Sequence, residues 1–489
     1  MLLEGVILLL LLVLVWLYSS NTRQEGVPPG PRRYPIIGSR FITSLQQIRE
    51  LRTRYGDIFS CHMGSYRTVY LCNYKLIKEA FAKMEFSDRP RWRSFHFMTN
   101  GEEAGVGVSN GQRWINARRF LLSNLRDLGM GKSFLDEAIL HEAQVLVDEF
   151  KSKAGGHVRL PNYTNITVVN IIWQMVASCR FNLHDDEVIK FMKIFSTIHD
   201  NLMLLCLPEI FPWVKYILPD FVYRKLLKLD AFEEVTEASV KVMKRTVDSH
   251  RANLDFSNPR DVIDKYLVEM SKKTDIAEYF SEPDLMKIIM DLYGAGFETT
   301  SKMLQWILLY MAKYPEVQAR AQQQIDDVVS RDTLPTNQHK SRLPYVEAII
   351  HEVLRIVSFA PLGVMHSTNR DVHLGGYLLP KDTLVFGVIA ACHEDPQHWA
   401  DPHEFQPDRF LDAEGRFVFQ REGFLPFSVG RRSCLGESLA KMELLLFTSA
   451  LLQNFNFASP EGGEVDLRPK PVALINNPRE QDLLITVRK

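Results

Sequence analysis

Cys434 stands in the run Phe427-Ser428-Val429-Gly430-Arg431-Arg432-Ser433-Cys434-Leu435-Gly436, directly ahead of the helical stretch Glu437-Ser438-Leu439-Ala440-Lys441-Met442-Glu443. A thiol just before a helix N-terminus meets free backbone N–H groups and the positive end of the helix dipole. Both lower its pKa and hold it as thiolate, the form that ligates metals. Gly430 and Gly436 remove side chains where backbone could approach a flat ligand, and Arg432 offers a charge to an acidic group beside it. A lone cysteine is more often a small buried residue, so the loop by itself leaves both readings open.

A second cluster, Gly294-Ala295-Gly296-Phe297-Glu298-Thr299-Thr300, interrupts an otherwise apolar helical stretch from Met286 to Met311. Glycine costs about 1 kcal/mol against alanine inside a helix, so the pair marks a kink or a close approach by a ligand. A carboxylate and two hydroxyls follow, in surroundings where polar groups are expensive unless partnered. Glu352 and Arg355 put opposite charges one helical turn apart, Arg409 follows in Pro407-Asp408-Arg409-Phe410, and Trp114 and Arg118 also lie one turn apart. Taken singly these are ordinary features, since an exposed ion pair adds only about 0 to 1 kcal/mol. Three apparent motifs fail. Gly129-Met130-Gly131-Lys132-Ser133 ends like a phosphate loop but has Arg126 where the first glycine belongs, and His351-Glu352 starts a zinc-protease motif that Arg355 breaks. Cys392, His393, His398 and His403 lack paired zinc-ligand spacing.

Together these groups resemble the motif set of the cytochrome P450 superfamily. The cysteine loop matches Phe-x-x-Gly-x-Arg-x-Cys-x-Gly at every fixed position, and residues 295–300 match Ala/Gly-Gly-x-Asp/Glu-Thr-Thr/Ser. The resemblance implies a mainly helical fold with small β-sheets and a haem b cofactor whose iron takes Cys434 as its ligand. Thiolate ligation favours O–O cleavage in bound dioxygen. It implies that Phe427, Gly430 and Gly436 belong to the haem-binding loop, and that Arg432, Trp114, Arg118 and His366 meet the haem propionates. At His366 the chain departs from its relatives, which carry proline just before this position where Met365 stands here. Thr299 resembles the proton-delivering hydroxyl and Glu298 the acid that feeds it. Glu352, Arg355 and Arg409 resemble the triad that locks the backbone presenting the cysteine.

The implied reaction inserts one atom of dioxygen into a lipophilic small molecule, such as a steroid, terpenoid, fatty acid or xenobiotic. Electrons arrive from NADPH through a reductase, with a b-type cytochrome as a further candidate donor. Arg113, Arg118, Arg119, Arg126 and Arg431 form a candidate positive docking patch for an acidic electron donor. Haem-thiolate isomerases or dehydratases and silent haem binders are the rivals, and neither has a use for the Glu298–Thr299 pair.

Helical periodicity over residues 135–153, 221–254, 283–313, 315–330, 343–357 and 436–452 supplies the elements that must position these groups. Strand signals cover 67–72, 372–379, 383–391, 472–475 and 483–487. At 489 residues two domains are the default, yet no stretch has the length of an interdomain linker, so one body is expected over residues 41–489. Ahead of it residues 1–22 read as an apolar transmembrane anchor and residues 23–40 as a proline-rich spacer. Basic residues follow the anchor and none precedes it, which puts the body in the cytosol, on the endoplasmic reticulum membrane by resemblance to microsomal members. With 58 basic and 59 acidic residues the chain has no excess to attract nucleic acid, and six scattered cysteines do not make a disulfide framework. Residues 95–108, 359–364 and 474–477 are the expected pocket walls, apolar or mixed in character.

Overall fold

A computed structural model describes the chain except residues 1, 22–25, 35–36, 40–41, 43, 97–98, 100, 128–132, 186–187, 190–191, 193–195, 197–201, 273–276, 420, 461–462 and 471–474. Within the remainder, the side chains of residues 2–3, 6, 9, 16–21, 126–127, 133–134, 161–162, 202–203, 235, 277 and 297 are also not described.

The helices that matter for the site are, in chain order, α1 (Leu2–Asn21), α2 (Tyr74–Ala82), α3 (Gly111–Asp127), α4 (Ser133–Lys153), α5 (Pro161–Ala177), α6 (Leu229–Ala252), α7 (Val262–Ser271), α8 (Glu282–Lys313), α9 (Pro344–Val357), α10 (Ile389–His393) and α11 (Glu437–Asn454). α8 is the axis of the molecule. It starts on a Ser281 N-cap and runs 32 residues, packing on α5, α9 and α11. Leu304, Ile307, Leu308 and Met311 of α8 are wholly buried with Val168, Val169 and Ile171 of α5 and Leu446, Phe447 and Ala450 of α11. α9 is buried on nearly every side, Tyr345 through Val357, which is why its charged pair sits inside the protein and not on its surface.

The strands are short and lie to one side. β1 (Ile58–Met63) pairs antiparallel with β2 (Tyr66–Leu71), which pairs in parallel with β7 (Leu384–Gly387), and β4 (His366–Ser367) completes that sheet. β3 (His157–Arg159), β8 (Phe455–Ala458) and β9 (Asp482–Val487) form a second sheet, and β5 (Val372–Leu374) and β6 (Tyr377–Leu379) form a hairpin.

Several expectations are corrected. The helix expected over 221–254 is broken at Lys228, whose φ of 54° ends one helix and starts α6. The strand expected over 383–391 ends at Gly387, and Ile389–His393 coil into α10. Most of the strand expected at 472–475 lies outside the described residues. β1, β3 and β8 carried too weak an alternation to be foreseen. The first 22 residues do contain a helix, α1, with Ile7, Leu8, Leu10, Leu11, Leu12, Val13, Leu14 and Val15 exposed. Among the described residues, however, no helix is long and apolar enough to cross a membrane, so the transmembrane span is not met there. The prolines after it lie against β1: Ser60 donates its N–H to the Pro29 carbonyl at 2.8 Å and its hydroxyl to the Pro28 carbonyl at 2.7 Å.

Candidate functional site

The cysteine loop is built against α2 and capped by α11. Gly430 adopts φ 83°, and a Cβ there would stand 2.1 Å from the Phe81 carbonyl oxygen at the end of α2. Glycine is therefore required by the neighbouring backbone, not by room for a ligand as the sequence suggested. Arg431 N–H donates to that same carbonyl at 3.0 Å, and Cys434 N–H donates to the Phe427 carbonyl at 3.0 Å. Gly436 is the N-cap of α11, and a Cβ on it would lie 4.0 Å from the Cys434 sulfur.

Cys434 is accessible to water-sized probes, yet burial is the dominant influence on its thiol and pushes its pKa up. The sulfur is thus reachable and yet largely surrounded by protein. The Gly436 and Glu437 N–H groups pull the other way and lose. The helix N-terminus therefore acts on the thiol in the expected direction, against a larger effect of burial. Arg118 lies close enough to pull the same way, and burial still outweighs it.

Around the loop converge three arginines. Arg432 is buried, donates to the Ser87 carbonyl at 2.7 Å, the Val106 carbonyl at 3.2 Å and the Ser109 carbonyl at 2.5 Å, and stacks 4.0 Å over the Trp114 ring. Arg118 of α3 donates to the Ser433 carbonyl at 2.8 Å, tying α3 directly to the cysteine loop. Arg89, unmarked by any sequence motif, donates to the Met365 and Val364 carbonyls at 2.7 and 3.0 Å. Among the described residues none of the three has a carboxylate within ion-pair distance. Burial, then mutual repulsion, pushes Arg432 down to about 8 and Arg89 down to about 9. Each guanidinium has five N–H groups and spends only some of them on carbonyls. The Trp114 indole N–H is buried and has no hydrogen-bond partner among the described residues.

His366 is also buried here, stacked 3.8 Å on Phe81, with Nδ1 donating to the Phe86 carbonyl at 2.6 Å. Burial and then Arg89 hold it neutral, its pKa well below the usual range. Nε2 of that tautomer is an acceptor, so His366 can meet a carboxylate only after taking a proton.

Two buried guanidiniums and a half-buried third, an indole N–H without a partner among the described residues and a reachable thiol are complementary to a flat metal chelate carrying two carboxylates. Haem b has that chemistry, and these residues fit it.

On α8, Thr299 and Ala295, one turn apart, remain accessible although the helix is central. The Thr299 hydroxyl donates to the Ala295 carbonyl at 2.7 Å, and Glu298 is buried, accepting from the Ser196 hydroxyl at 3.0 Å. The helix runs unbroken through Gly294 and Gly296; a Cβ on Gly296 would meet Ile172 of α5 at 1.9 Å, so this glycine serves helix packing. The pocket walls expected from sequence come together in part: Asn476 N–H donates to the Phe359 carbonyl at 2.8 Å. Val106 and Gly107 N–H both donate to Asp291 of α8 at 2.9 Å.

The triad forms as expected. Glu352 accepts two hydrogen bonds from Arg355, each 2.7 Å, and one from Arg409 at 3.0 Å. Arg355 and Arg409 spend their other donors on carbonyls of residues 393 and 400–404. Of the expected docking patch, Arg113 is taken by an ion pair with Asp284 and drops out; Arg119 and Arg431 are exposed, and the Arg126 side chain lies outside the described residues.

A mainly helical body with a cysteine loop capped by a helix, a buried arginine cradle and a threonine on the central helix defines a haem-thiolate protein. The comparisons agree. The cytochrome P450 family model matches residues 28–485. Among curated proteins, the chain is similar to cytochrome P450 2L1 of Panulirus argus, 44% identical with 96% of this chain and 97% of that protein covered. It is 34% identical to cytochrome P450 2B4 of Oryctolagus cuniculus with 97% of each covered, and 36% identical to cytochrome P450 2J2 of Homo sapiens with 92% and 89% covered. The chain belongs to the cytochrome P450 family. It is a haem-thiolate monooxygenase that uses dioxygen, haem b and NADPH-derived electrons delivered by a reductase to oxidise lipophilic substrates.

Proposed function

We propose that Cys434 ligates the haem iron, that Arg89, Arg118, Arg432, Trp114 and His366 receive the two propionates, and that Glu298 and Thr299 deliver protons to the oxygen side. The observation that carries this reading is the cradle. Three arginines converge and, among the described residues, none has a carboxylate within ion-pair distance, an arrangement that an anionic ligand would complete. When bound, haem supplies the oxygen activation and bond insertion.

This chain's residues supply the rest. Phe427 and Gly436 hold the backbone on either side of the sulfur. Thr299 gives its own proton to the Ala295 carbonyl, so its oxygen presents lone pairs that fix the orientation of a water donating to it. Glu298, buried one residue away, is the acid able to resupply that water. These two groups favour monooxygenation over the isomerase reading.

The substrates we infer are neutral lipophiles of the steroid, terpenoid, fatty-acid or xenobiotic kind. The exposed apolar helix α1 attaches the chain to a membrane, that of the endoplasmic reticulum, with the body of residues 41–489 on the cytosolic side. A b-type cytochrome is a second candidate electron donor, with Arg119 and Arg431 in its docking face.

The test is the spectrum of the reduced protein under carbon monoxide. Wild type shows the red-shifted Soret band of a thiolate-ligated haem, and Cys434→Ala loses it. Survival of that band in the alanine variant removes the assignment.

A further inference from the structure

His393 ends α10, and its sequence context offers no role beyond the metal reading that its spacing excludes. In the fold it is fully enclosed, at 0% exposure. Its Nε2 accepts the backbone N–H of Leu425 at 2.9 Å. An amide can only donate there, so the ring proton is on Nδ1, which donates to the Ser358 hydroxyl oxygen at 2.8 Å. Ser358 passes its own proton to the Arg355 carbonyl at 2.9 Å, and Arg355 Nη1 donates to the His393 carbonyl at 2.8 Å. Arg355, Ser358 and His393 thus close a directed ring around the end of α9, tied on one side to Glu352 through Arg355 and on the other to Leu425 through His393 Nε2.

Leu425 lies two residues ahead of the cysteine loop. Its carbonyl accepts from Ser428 N–H at 3.0 Å, in the turn where Ser428 takes φ 61°, and Phe427 in turn holds the Cys434 N–H. The ring of His393 also stacks on Phe424 at 5.6 Å. Burial, with Arg355 nearby, pushes its pKa down to about 3, so Nε2 stays an acceptor at ordinary pH.

We propose that His393 is a positioning residue: through the Leu425 amide it transmits the rigid Glu352–Arg355–Arg409 triad to the loop that presents Cys434. The proposal rests on the reading of Cys434 as the iron ligand.

The test uses the haem-loaded full chain with His393→Asn and His393→Gln. Asparagine places its amide where Nδ1 stood, serving Ser358 but leaving the Leu425 N–H buried without an acceptor. Glutamine reaches the Nε2 position and accepts that N–H. An unsatisfied buried donor shifts a conformational equilibrium by about 5- to 150-fold. The thiolate carbon-monoxide band should therefore convert to the blue-shifted thiol form about 10-fold faster or more in His393→Asn, with the Gln variant close to wild type. Amide hydrogen exchange at Leu425 should accelerate in the Asn variant alone.

Equal behaviour of the two variants overturns the proposal, since packing then explains everything. So does an unprotected Leu425 amide in the wild type, a measurement that needs no variant to fold. A thiolate band retained in Cys434→Ala would instead sink the ligand reading, independently of residue 393.

Discussion

Arg89→Met separates the protein that holds haem from the one that does not, because the arginine changes sign between the two. In the absence of a counter-ion its guanidinium is fully buried among carbonyls, and burial and the neighbouring Arg118 drag its pKa to about 9 from an ordinary value above 12. A displacement of that size corresponds to a charge destabilised by the order of 5 kcal/mol, at about 1.4 kcal/mol per tenfold in proton affinity. The hydrogen bonds to Val364 and Met365 return part of it. Methionine fills much of the volume without the charge, so haem-free Arg89→Met should be as stable as wild type in urea, or more so.

With haem bound the balance reverses, because removing one partner of a buried ion pair costs about 3 to 5 kcal/mol. Arg118 and Arg432 share the load, so we expect less than that, about 1.4 to 2.8 kcal/mol, which is a 10- to 100-fold faster transfer of haem to excess apomyoglobin. An unchanged transfer rate would refute the cradle argument. So would a haem-free variant several kcal/mol less stable than wild type.

Thr299→Ala should keep the thiolate band and substrate binding while raising hydrogen peroxide released per NADPH, with product formation falling toward the lower end of the roughly 10²- to 10⁴-fold range of acid–base steps; unchanged coupling would leave the residue a mere helix position. Glu352→Gln removes the charge that holds Arg355 and Arg409 and turns one of the two oxygens that serve Arg355, Arg409 and the Gln406 N–H into an NH2 donor, and should cost about 3 to 5 kcal/mol in urea unfolding, where a loss under 1 kcal/mol would contradict it. His250 donates from Nδ1 to the Thr246 carbonyl at 2.8 Å and from Nε2 to Asp261 at 2.9 Å, so both nitrogens carry protons. Burial opposes that charge, but Asp261, Thr246 and Asp264 together raise its pKa. The link it makes between α6 and α7 is then complete below the unfolded value of about 6.5 and is lost as pH rises through the folded value. His250→Gln should remove that alkaline loss of stability, and identical pH profiles would rule the link out. Deleting residues 2–21 should release the chain from phosphatidylcholine vesicles in flotation and leave the carbon-monoxide band intact; loss of haem would make α1 part of the body.

Local chemistry was legible where a motif writes its whole requirement into adjacent residues. The loop from Phe427 to Gly436 and the turn joining Glu352 to Arg355 fall in this class, and the helices carrying them follow from apolar spacing. Helix ends failed where a single residue took a left-handed conformation, as at Lys228, or where a strand gave way to a short helix after Gly387. The reasons assigned to individual residues were less secure than their positions. Gly430 is glycine for the sake of Phe81, and Arg113 is held by Asp284.

Arg89 and His393 lay beyond reach for one physical reason. Each acts through partners far along the chain, Arg89 on Val364 at a separation of 275 residues and His393 on Leu425 at 32, and mostly through backbone carbonyls and amides that every residue possesses. A side chain that recognises backbone leaves no complementary letter in the sequence. What betrays it is a cost visible only in three dimensions: a buried guanidinium with no acid, or an imidazole whose tautomer is dictated by one distant amide. The surroundings of Cys434 are made of such contacts, so the residue most plainly announced by the sequence is held in place by those that the sequence announces least.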